Sequence, residues 1–463
     1  MEKKRISFSN SLGFVLAAAG SAVGLGNIWR FPYLAAKDGG GLFLVIYMIL
    51  VLTFGFTLLT TELAIGRKTK QSPLTAYRSV HPKFGFLGLL ACIVPMLIIP
   101  YYSAIGGWVL KYFMVFITGK GTEAASDGYF TGFITMDYQP MIYMAIFLLA
   151  TAVVVYFGVE KGIEKVSRVL MPILVILVVG IAVFSLTITH TDESGNVRTG
   201  LEGLKIYLIP SLKGKGIKDV AVVIMDAMGQ LFYSLSIAMG IMVAYGSYVR
   251  DDDNLMKSIN RIELFDTLIA FFAGVMIIPS VFAFMGREGL DASGPGLMFV
   301  SMPKVFMEMG AAGFVIGTVF FLMVIFAALT SCISIMEAIV SSFMDKFHIS
   351  RKKATIIETL IALVVGAIVC MGYNKLYFEI PLPNGSTAQI LDILDYLSNN
   401  VIMPILAIGT CILIGWVTGP KYVVDEVTKT GNRFGRKGLY IVMIRFVAPV
   451  LLFLLLLKAT GVI

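Results

Sequence analysis

The chain has 463 residues, of which 57% are hydrophobic and only 14% charged. Soluble domains average about 25% charged residues, so this composition excludes an ordinary soluble fold and reads as an all-α integral membrane protein. The formal net charge of +8 does not imply a nucleic-acid partner, because Lys and Arg gather in short loops between apolar runs, where they set membrane topology.

Eleven apolar segments follow one another, at roughly 11–36, 41–66, 86–118, 140–158, 166–188, 219–248, 257–286, 311–344, 354–373, 389–418 and 439–461. Each has about the 20 residues needed to cross the hydrocarbon core. The first is not a cleavable signal: it is too long, lacks a small-residue cleavage site and is followed at once by another apolar run. With the N-terminus cytoplasmic, the inner segments carry Lys3, Lys4 and Arg5, then "GRKTKQSPLTAYRSVHPK", "EKGIEKVSR", "RDDDNLMKSINR", "DKFHISRKK" and "KYVVDEVTKTGNRFGRK". Apart from the long 189–218 segment, the opposite loops hold far fewer, and the odd number of crossings leaves the C-terminus outside the cell membrane. The outer loops 119–139, 189–218, 287–310 and 373–388 are expected to fold over the outer face. No Pro/Ser-rich linker divides the chain, so residues 1–463 form a single transmembrane domain.

Cys92, Cys332, Cys370 and Cys411 lie in apolar segments without Cys-x-x-Cys spacing, and His81, His190 and His348 have no partner at metal-ligand spacing. The sequence therefore predicts no disulfide framework, no zinc site and no organic cofactor. An enzyme would need a nucleophile–base constellation that three scattered histidines do not supply. A channel would need a continuous polar stripe, and none is visible.

Two segments are interrupted near their middles. The first reads "AGSAVGLGN", with Gly20, Gly24 and Gly26 followed by Asn27; the sixth reads "QLFYSLSIAMG", with Ser234, Ser236 and Gly240. They open two successive five-segment blocks, 11–188 and 219–418, with 439–461 as an extra helix. Paired interruptions at corresponding places are a pointer to a midplane site between inverted repeats. Unsatisfied backbone groups inside the membrane cost several kcal/mol each, so a broken helix persists where something binds the freed groups. Carbonyls suit a hard cation such as Na⁺, and half-helix N-termini suit a carboxylate. The alternative is that the glycines only allow close helix packing.

Polar residues inside apolar segments are the other candidates. They are Asp266, then Thr330, Ser331 and Glu337 in "AALTSCISIME", and Asp392 and Asp395 in "LDILDYL". Glu62 in "TTELAIGR" lies near an inner helix end, where a structural and a transport role are both open.

"AAAGSAVGLGNIWRFPYLAAKDGGGLFLVIY" with "ELAIGR", "GQLFYSLSIAMGIMVAYGSYVR" and "ALTSCISIMEA" resembles the neurotransmitter:sodium symporters, above all their bacterial amino-acid transporters. The resemblance covers essentially the whole chain. It implies eleven transmembrane helices, two inverted five-helix repeats, unwound first and sixth helices, and Na⁺-driven uptake by alternating access.

Carried over residue by residue, the resemblance implies a first sodium site of the Ala22 backbone, Asn27, Ser234 and Asp266, completed by the substrate carboxylate. A second would use backbone oxygens of Gly20, Val23 and Ala327 with the hydroxyls of Thr330 and Ser331. The substrate carboxylate would meet the Leu25 and Gly26 amides and the Tyr102 hydroxyl, beside Ala22. Its amine would face carbonyls including those of Tyr233 and Ser236. Its side chain would lie among Ile98, Tyr102, Tyr233, Met239, Ser331 and Ile335. Monoamine-type members carry Asp where this chain has Gly24, so the resemblance favours a substrate that brings its own carboxylate, a neutral hydrophobic or aromatic amino acid.

Asp266 stands where animal members have Asn and bind chloride nearby. Tyr47, Gln230 and Ser234 match chloride-site positions, but the helix 7 Ser is missing, so a fixed carboxylate replaces the anion and transport is expected to be chloride-independent. Arg30 and Asp395 match the outer gate, with Tyr233 as the lid. Arg5 and Asp345 match the inner gate, with Tyr248 nearby and Phe8 where the family has Trp. Gly162 and Pro172 resemble a motif at which the inner part of the fifth helix unwinds; a plain helix start and kink is the alternative. A sensor built on this fold would keep the sodium sites and could lose gate residues, all four of which are present here.

Overall fold

The computed structural model describes residues 7–192, 195–212, 216–291 and 294–462. The membrane-scale helices are α1 (Ser11–Ala22), α2 (Gly26–Lys37), α3 (Gly41–Thr69), α4 (Pro82–Ile117), α5 (Gln139–Tyr156), α6 (Val159–Leu186), α7 (Ile217–Ser234), α8 (Ile241–Tyr248), α9 (Leu255–Met285), α10 (Ala311–Phe347), α11 (Arg351–Met371), α12 (Ile390–Val417) and α13 (Lys437–Ala459). Among the described residues, nine of these are long and apolar enough to cross a membrane, and the α1–α2 pair, bent by 54°, makes ten. The expected crossing at 219–248 is the split pair α7–α8, which does not meet that length-and-composition measure. Its two pieces flank the interrupted stretch 235–240, where three residues adopt positive φ.

The helix breaks follow from local chemistry. Asn10 caps α1, its side chain accepting from the Gly13 amide at 2.9 Å, and the helix runs to its last regular bond, Val23 N–H to the Ala19 carbonyl at 2.7 Å. Val23 then turns extended, with φ −76° and ψ 97°. In the second break Ser236, Ala238 and Gly240 have φ of +52°, +58° and +72°. Only glycine takes that region freely, so the two L-residues need outside support.

Helix α1 is buried between α9 and α10, α7 leans on the outer part of α3, α8 on its inner part, and α10 runs along α4. Both breaks therefore lie at the centre of the packing. Two antiparallel hairpins, β1 (Thr189–Thr191) with β2 (Val197–Thr199) and β3 (Ile380–Pro381) with β4 (Thr387–Ala388), occupy two of the connecting loops.

Two features of the inner side take their places here. The segment bracketed by Gly162 and Pro172 is wound: α6 begins at Val159, Gly162 sits in its first, π-helical turn, and Pro172 lies inside the helix. A Cβ on Gly162 would come within 2.0 Å of the Val154 carbonyl, so close approach of α5 explains the glycine in this conformation. Arg5 lies outside the described residues, and Asp345 accepts from the Ser72 amide at 2.7 Å. Tyr248 instead donates to Glu337 Oε1 at 2.6 Å, and Glu337 pairs with Arg351 at 2.5 Å. Phe8 fills the place beside it, with ring centroids 5.5, 5.8 and 6.2 Å from Phe14, Tyr245 and Tyr248.

Candidate functional site

The groups freed by the two breaks find partners in each other and in α3, α4, α9 and α10. In the first break the Gly24 amide donates to Asn27 Oδ1 at 3.3 Å and the Leu25 amide to the Tyr102 hydroxyl at 3.4 Å. The Ser331 hydroxyl lies within 3.1–3.4 Å of the Gly20, Ser21 and Val23 carbonyls. Ser236 ties the second break to the first, its hydroxyl donating to the Ser21 carbonyl at 2.9 Å. The Ala238 amide, held at positive φ, donates to Glu62 Oε1 at 2.7 Å. Buried backbone groups are rarely left unpaired, and these partners let both interruptions persist in an apolar core.

Asn27, Ser234 and Asp266 converge beside the first break. Asn27 Nδ2 donates to Asp266 Oδ1 at 2.8 Å and to Ser234 Oγ at 3.1 Å. Ser234 donates to the same Asp266 oxygen at 2.6 Å, and the Tyr47 hydroxyl reaches Oδ2 at 3.4 Å. Asn27 thus presents its nitrogen to Asp266, with its oxygen turned to Gly24, where an oxygen toward the cluster was expected. The acceptor-only carboxylate draws the amide's donor end. Gln230 donates to the Gly26 carbonyl at 3.0 Å, leaving its buried Oε1 without a hydrogen-bond partner.

A second oxygen cluster joins α1 to α10. Besides the three carbonyls around Ser331, Thr330 lies against Gly20, where an added Cβ would come 3.2 Å from Thr330 Cβ. The Thr330 hydroxyl is turned back to its own helix, donating to the Phe326 and Ala327 carbonyls at 3.0 and 3.1 Å. Carbonyl and hydroxyl oxygens gathered in this way are a donor set suited to Na⁺.

Between the clusters lies a small cavity of about 20 Å³, lined by Ser21, Ala22, Gly24, Ile98, Tyr102, Tyr233, Ser236, Met239, Ser331 and Ile335. Eight of these are residues expected from the sequence; Ser21 and Gly24 join them, and Leu25 and Gly26 do not line it. The chain resumes as a π-helical turn at Gly26, which packs under the Tyr233 ring, while Tyr102 covers the Leu25 amide. A Cβ on Gly24 would lie 2.7 Å from Ser331 Oγ and 3.1 Å from the Tyr102 hydroxyl.

Tyr233 also lines a second cavity of about 730 Å³ that contains Arg30, Lys37, Asp226, Asn399 and Lys458. It is therefore the partition between the small site and a vestibule. Arg30 and Asp395 form no ion pair within 4.0 Å here; Asp395 accepts from Asn399 Nδ2 at 2.6 Å instead. Glu62 was only an open candidate in the sequence, and its contact with Ala238 places it at the second break. The acid lies 176 residues away in sequence, and nothing in its local pattern shows that contact.

The fold and site define a multi-pass membrane protein with a small chamber built where two helices break. The family model described as the sodium:neurotransmitter symporter family matches residues 5–125 and 134–462. The chain is 32% identical over 475 residues to the uncharacterized sodium-dependent transporter YhdH of Bacillus subtilis, covering 100% of this chain and 99% of that protein. It is 27% identical to the sodium- and chloride-dependent GABA transporter 2 of Homo sapiens, over 92% of this chain and 76% of the other. Its fold is similar to the crystal structure of MhsT in complex with L-phenylalanine, with TM-score 0.85 and 32% identity over 98% of this chain and 100% of MhsT. This chain belongs to the sodium:neurotransmitter symporter family, and is a membrane transporter of a sodium-dependent kind.

Proposed function

We propose that the protein is a Na⁺-coupled symporter of a neutral, hydrophobic or aromatic amino acid, working by alternating access across two inverted five-helix repeats. The observation that carries this is the mixed lining of the chamber at the breaks, where the hydroxyl-bearing Ser21, Tyr102 and Ser331 stand with the apolar Ile98, Met239 and Ile335. Such a site suits a zwitterion with an apolar side chain, and Met239 offers an adaptable wall. The likeness to MhsT, solved with L-phenylalanine, supports an aromatic substrate.

In this reading the cavity of about 20 Å³ opens by movement of the Tyr102 hydroxyl off the Leu25 amide, which frees that donor for the substrate carboxylate. Na⁺ enters the Asn27–Ser234–Asp266 cluster and the Gly20–Val23–Ala327–Thr330–Ser331 cluster. The first couples to substrate through the shared carboxylate; the second clamps α1 to α10. Asp266 neutralises the first sodium, so no chloride is needed. The Lys and Arg distribution supports a cytoplasmic N-terminus. The placing of Lys458 and Gly461 on the vestibule wall beside Arg30 supports an outer C-terminus.

Uptake of individually labelled amino acids into proteoliposomes tests this, with an inward Na⁺ gradient and chloride or gluconate as anion. Accumulation of an apolar or aromatic amino acid that needs Na⁺ and survives chloride removal is expected. Binding without accumulation would make the protein a sensor, and loss of uptake in gluconate would remove the role given to Asp266.

A further inference from the structure

Asp226 sits on α7 eight residues before Ser234, which places it about 12 Å outward of the first oxygen cluster at the α-helical rise. Its two oxygens have different partners. Oδ2 accepts from Lys37 Nζ at 2.8 Å, and Oδ1 from Lys458 Nζ at 2.9 Å. Lys37 closes the last turn of α2 and Lys458 lies in the last turn of α13, so one carboxylate in the middle of α7 joins two helix ends. The three side chains line the vestibule whose inner floor is Tyr233.

The two ends of this bridge belong to different walls. Helices α2 and α7 are the outer halves of the broken helices, and in the alternating-access reading each tilts at its break. The end of α13 is held elsewhere: the Tyr396 hydroxyl of α12 donates to the Ala459 carbonyl at 2.9 Å, and Gly461 lies so close to the Pro383 carbonyl that a Cβ would come within 2.1 Å of it. The Lys37 arm therefore joins two movable pieces into one, and the Lys458 arm straps that piece to a fixed wall across the vestibule mouth. Arg30 lies seven residues inward of Lys37 along α2, about 10 Å deeper.

We propose that Asp226 is a positioning residue for transport, the hub of a second outer gate formed with Lys37 and Lys458 above the level of Arg30. It holds the vestibule mouth narrowed, and the Asp226–Lys458 arm parts when α2 and α7 swing away from α13. Lys37 and Lys458 are partly exposed, at 45% and 36%, and Asp226 is at 17%. Half-exposed ion pairs are weak enough to break in every cycle, and loss of one changes such an equilibrium by roughly two- to fivefold. This inference rests on the alternating-access reading above.

The test is the rate at which a membrane-impermeant thiol reagent, added outside, modifies Asn400→Cys on the vestibule wall in sodium-free choline buffer. The four native cysteines are buried and the chain without the reporter gives the background. Asp226→Asn and Lys458→Gln are each expected to speed labelling by roughly two- to fivefold. Asp226→Glu is expected to keep the native rate. Added choline chloride should speed labelling of the native chain and leave Asp226→Asn unchanged, because salt screens a pair at the surface. Native labelling rates in both single variants would overturn the gate. If Asp226→Asn does not fold, Lys458→Gln decides alone. Absence of sodium-driven uptake by the native chain would remove the transport reading separately, since the labelling rate reports the mouth whatever solute is carried.

Discussion

Asn27 and Asp266 meet across the first helix break, the amide nitrogen 2.8 Å from Asp266 Oδ1, and Ser234 donates to that same oxygen at 2.6 Å. A carboxylate sealed among donors in the membrane is costly unless a cation or a proton completes it. The pair therefore couples the conformation of the break to whatever positive charge arrives.

Asp266→Asn is expected to raise the Na⁺ concentration for half-maximal uptake about tenfold or more, since hydrogen bonds and ligand contacts of a charged group carry roughly 1.5–3 kcal/mol each. The Tyr47 and Ser234 hydroxyls then lack their anion, so chloride should restore part of the loss. Sodium titrations of uptake in chloride and in gluconate measure both effects. Unchanged titrations would remove Asp266 from the sodium site.

In the proposed reading Gly24 sets the substrate class. Its absent side chain is required by Ser331 Oγ, 2.7 Å from the ideal Cβ. Gly24→Ala is expected to weaken amino-acid binding severalfold by crowding Ser331 and Tyr102, and Gly24→Asp to abolish it by adding a buried like charge opposite the substrate carboxylate. Equilibrium binding of a labelled aromatic amino acid in saturating Na⁺ separates the two. Equal losses in Ala and Asp variants would mean that space alone matters there.

The second oxygen cluster predicts an inequality. The Ser331 hydroxyl faces three carbonyls of the first break, at 3.1–3.4 Å, whereas that of Thr330 is bonded back into α10. Ser331→Ala should therefore reduce Na⁺ affinity more than Thr330→Val, by about tenfold against a few-fold, given roughly 1 kcal/mol per hydrogen bond and the added cost of orphaned carbonyls. Sodium-dependent binding measured for each variant checks the order, and a larger effect at Thr330 would show that its hydroxyl turns toward the cation.

How much of this was legible in the sequence depended on the range of the interaction. The breaks were readable because Gly20, Gly24, Gly26 and Asn27 stand together inside an apolar run. The chamber residues came from motif resemblance, and the structure brings Ile98 and Tyr102 of α4, Ile335 of α10 and Met239 of the second break together. What escaped were contacts that no local pattern encodes. Glu62 reaches the Ala238 amide from a helix 176 residues away. Tyr248 turns to the Glu337–Arg351 pair, and Asp395 bonds Asn399 and not Arg30. A rotamer and a helix tilt decide such pairings, and neither is written in residue spacing.

Phe8 gives the last prediction. Its ring is buried at the inner end, packed edge-on against Tyr245 and Tyr248 at interplanar angles of 88° and 79°. The Phe8 amide also donates to the Tyr248 carbonyl at 3.1 Å, so ring and backbone together fasten the N-terminal arm to the end of α8. Removing a buried Phe costs roughly 3–5 kcal/mol when the site cannot collapse. Here the loss falls on the inwardly sealed state, while a state open to the inside has already given the contact up. Apparent substrate affinity falls with the fraction of molecules left in the binding-competent state. Phe8→Ala should thus weaken Na⁺-dependent binding by about tenfold or more for each 1.4 kcal/mol by which the sealed state is disfavoured. Phe8→Leu, which refills most of the volume, should fall between Ala and native. Binding isotherms alongside thermal unfolding of the same variants distinguish the cases. A variant that melts early yet binds with native affinity would show that Phe8 stabilises every state equally and is no part of the inner seal.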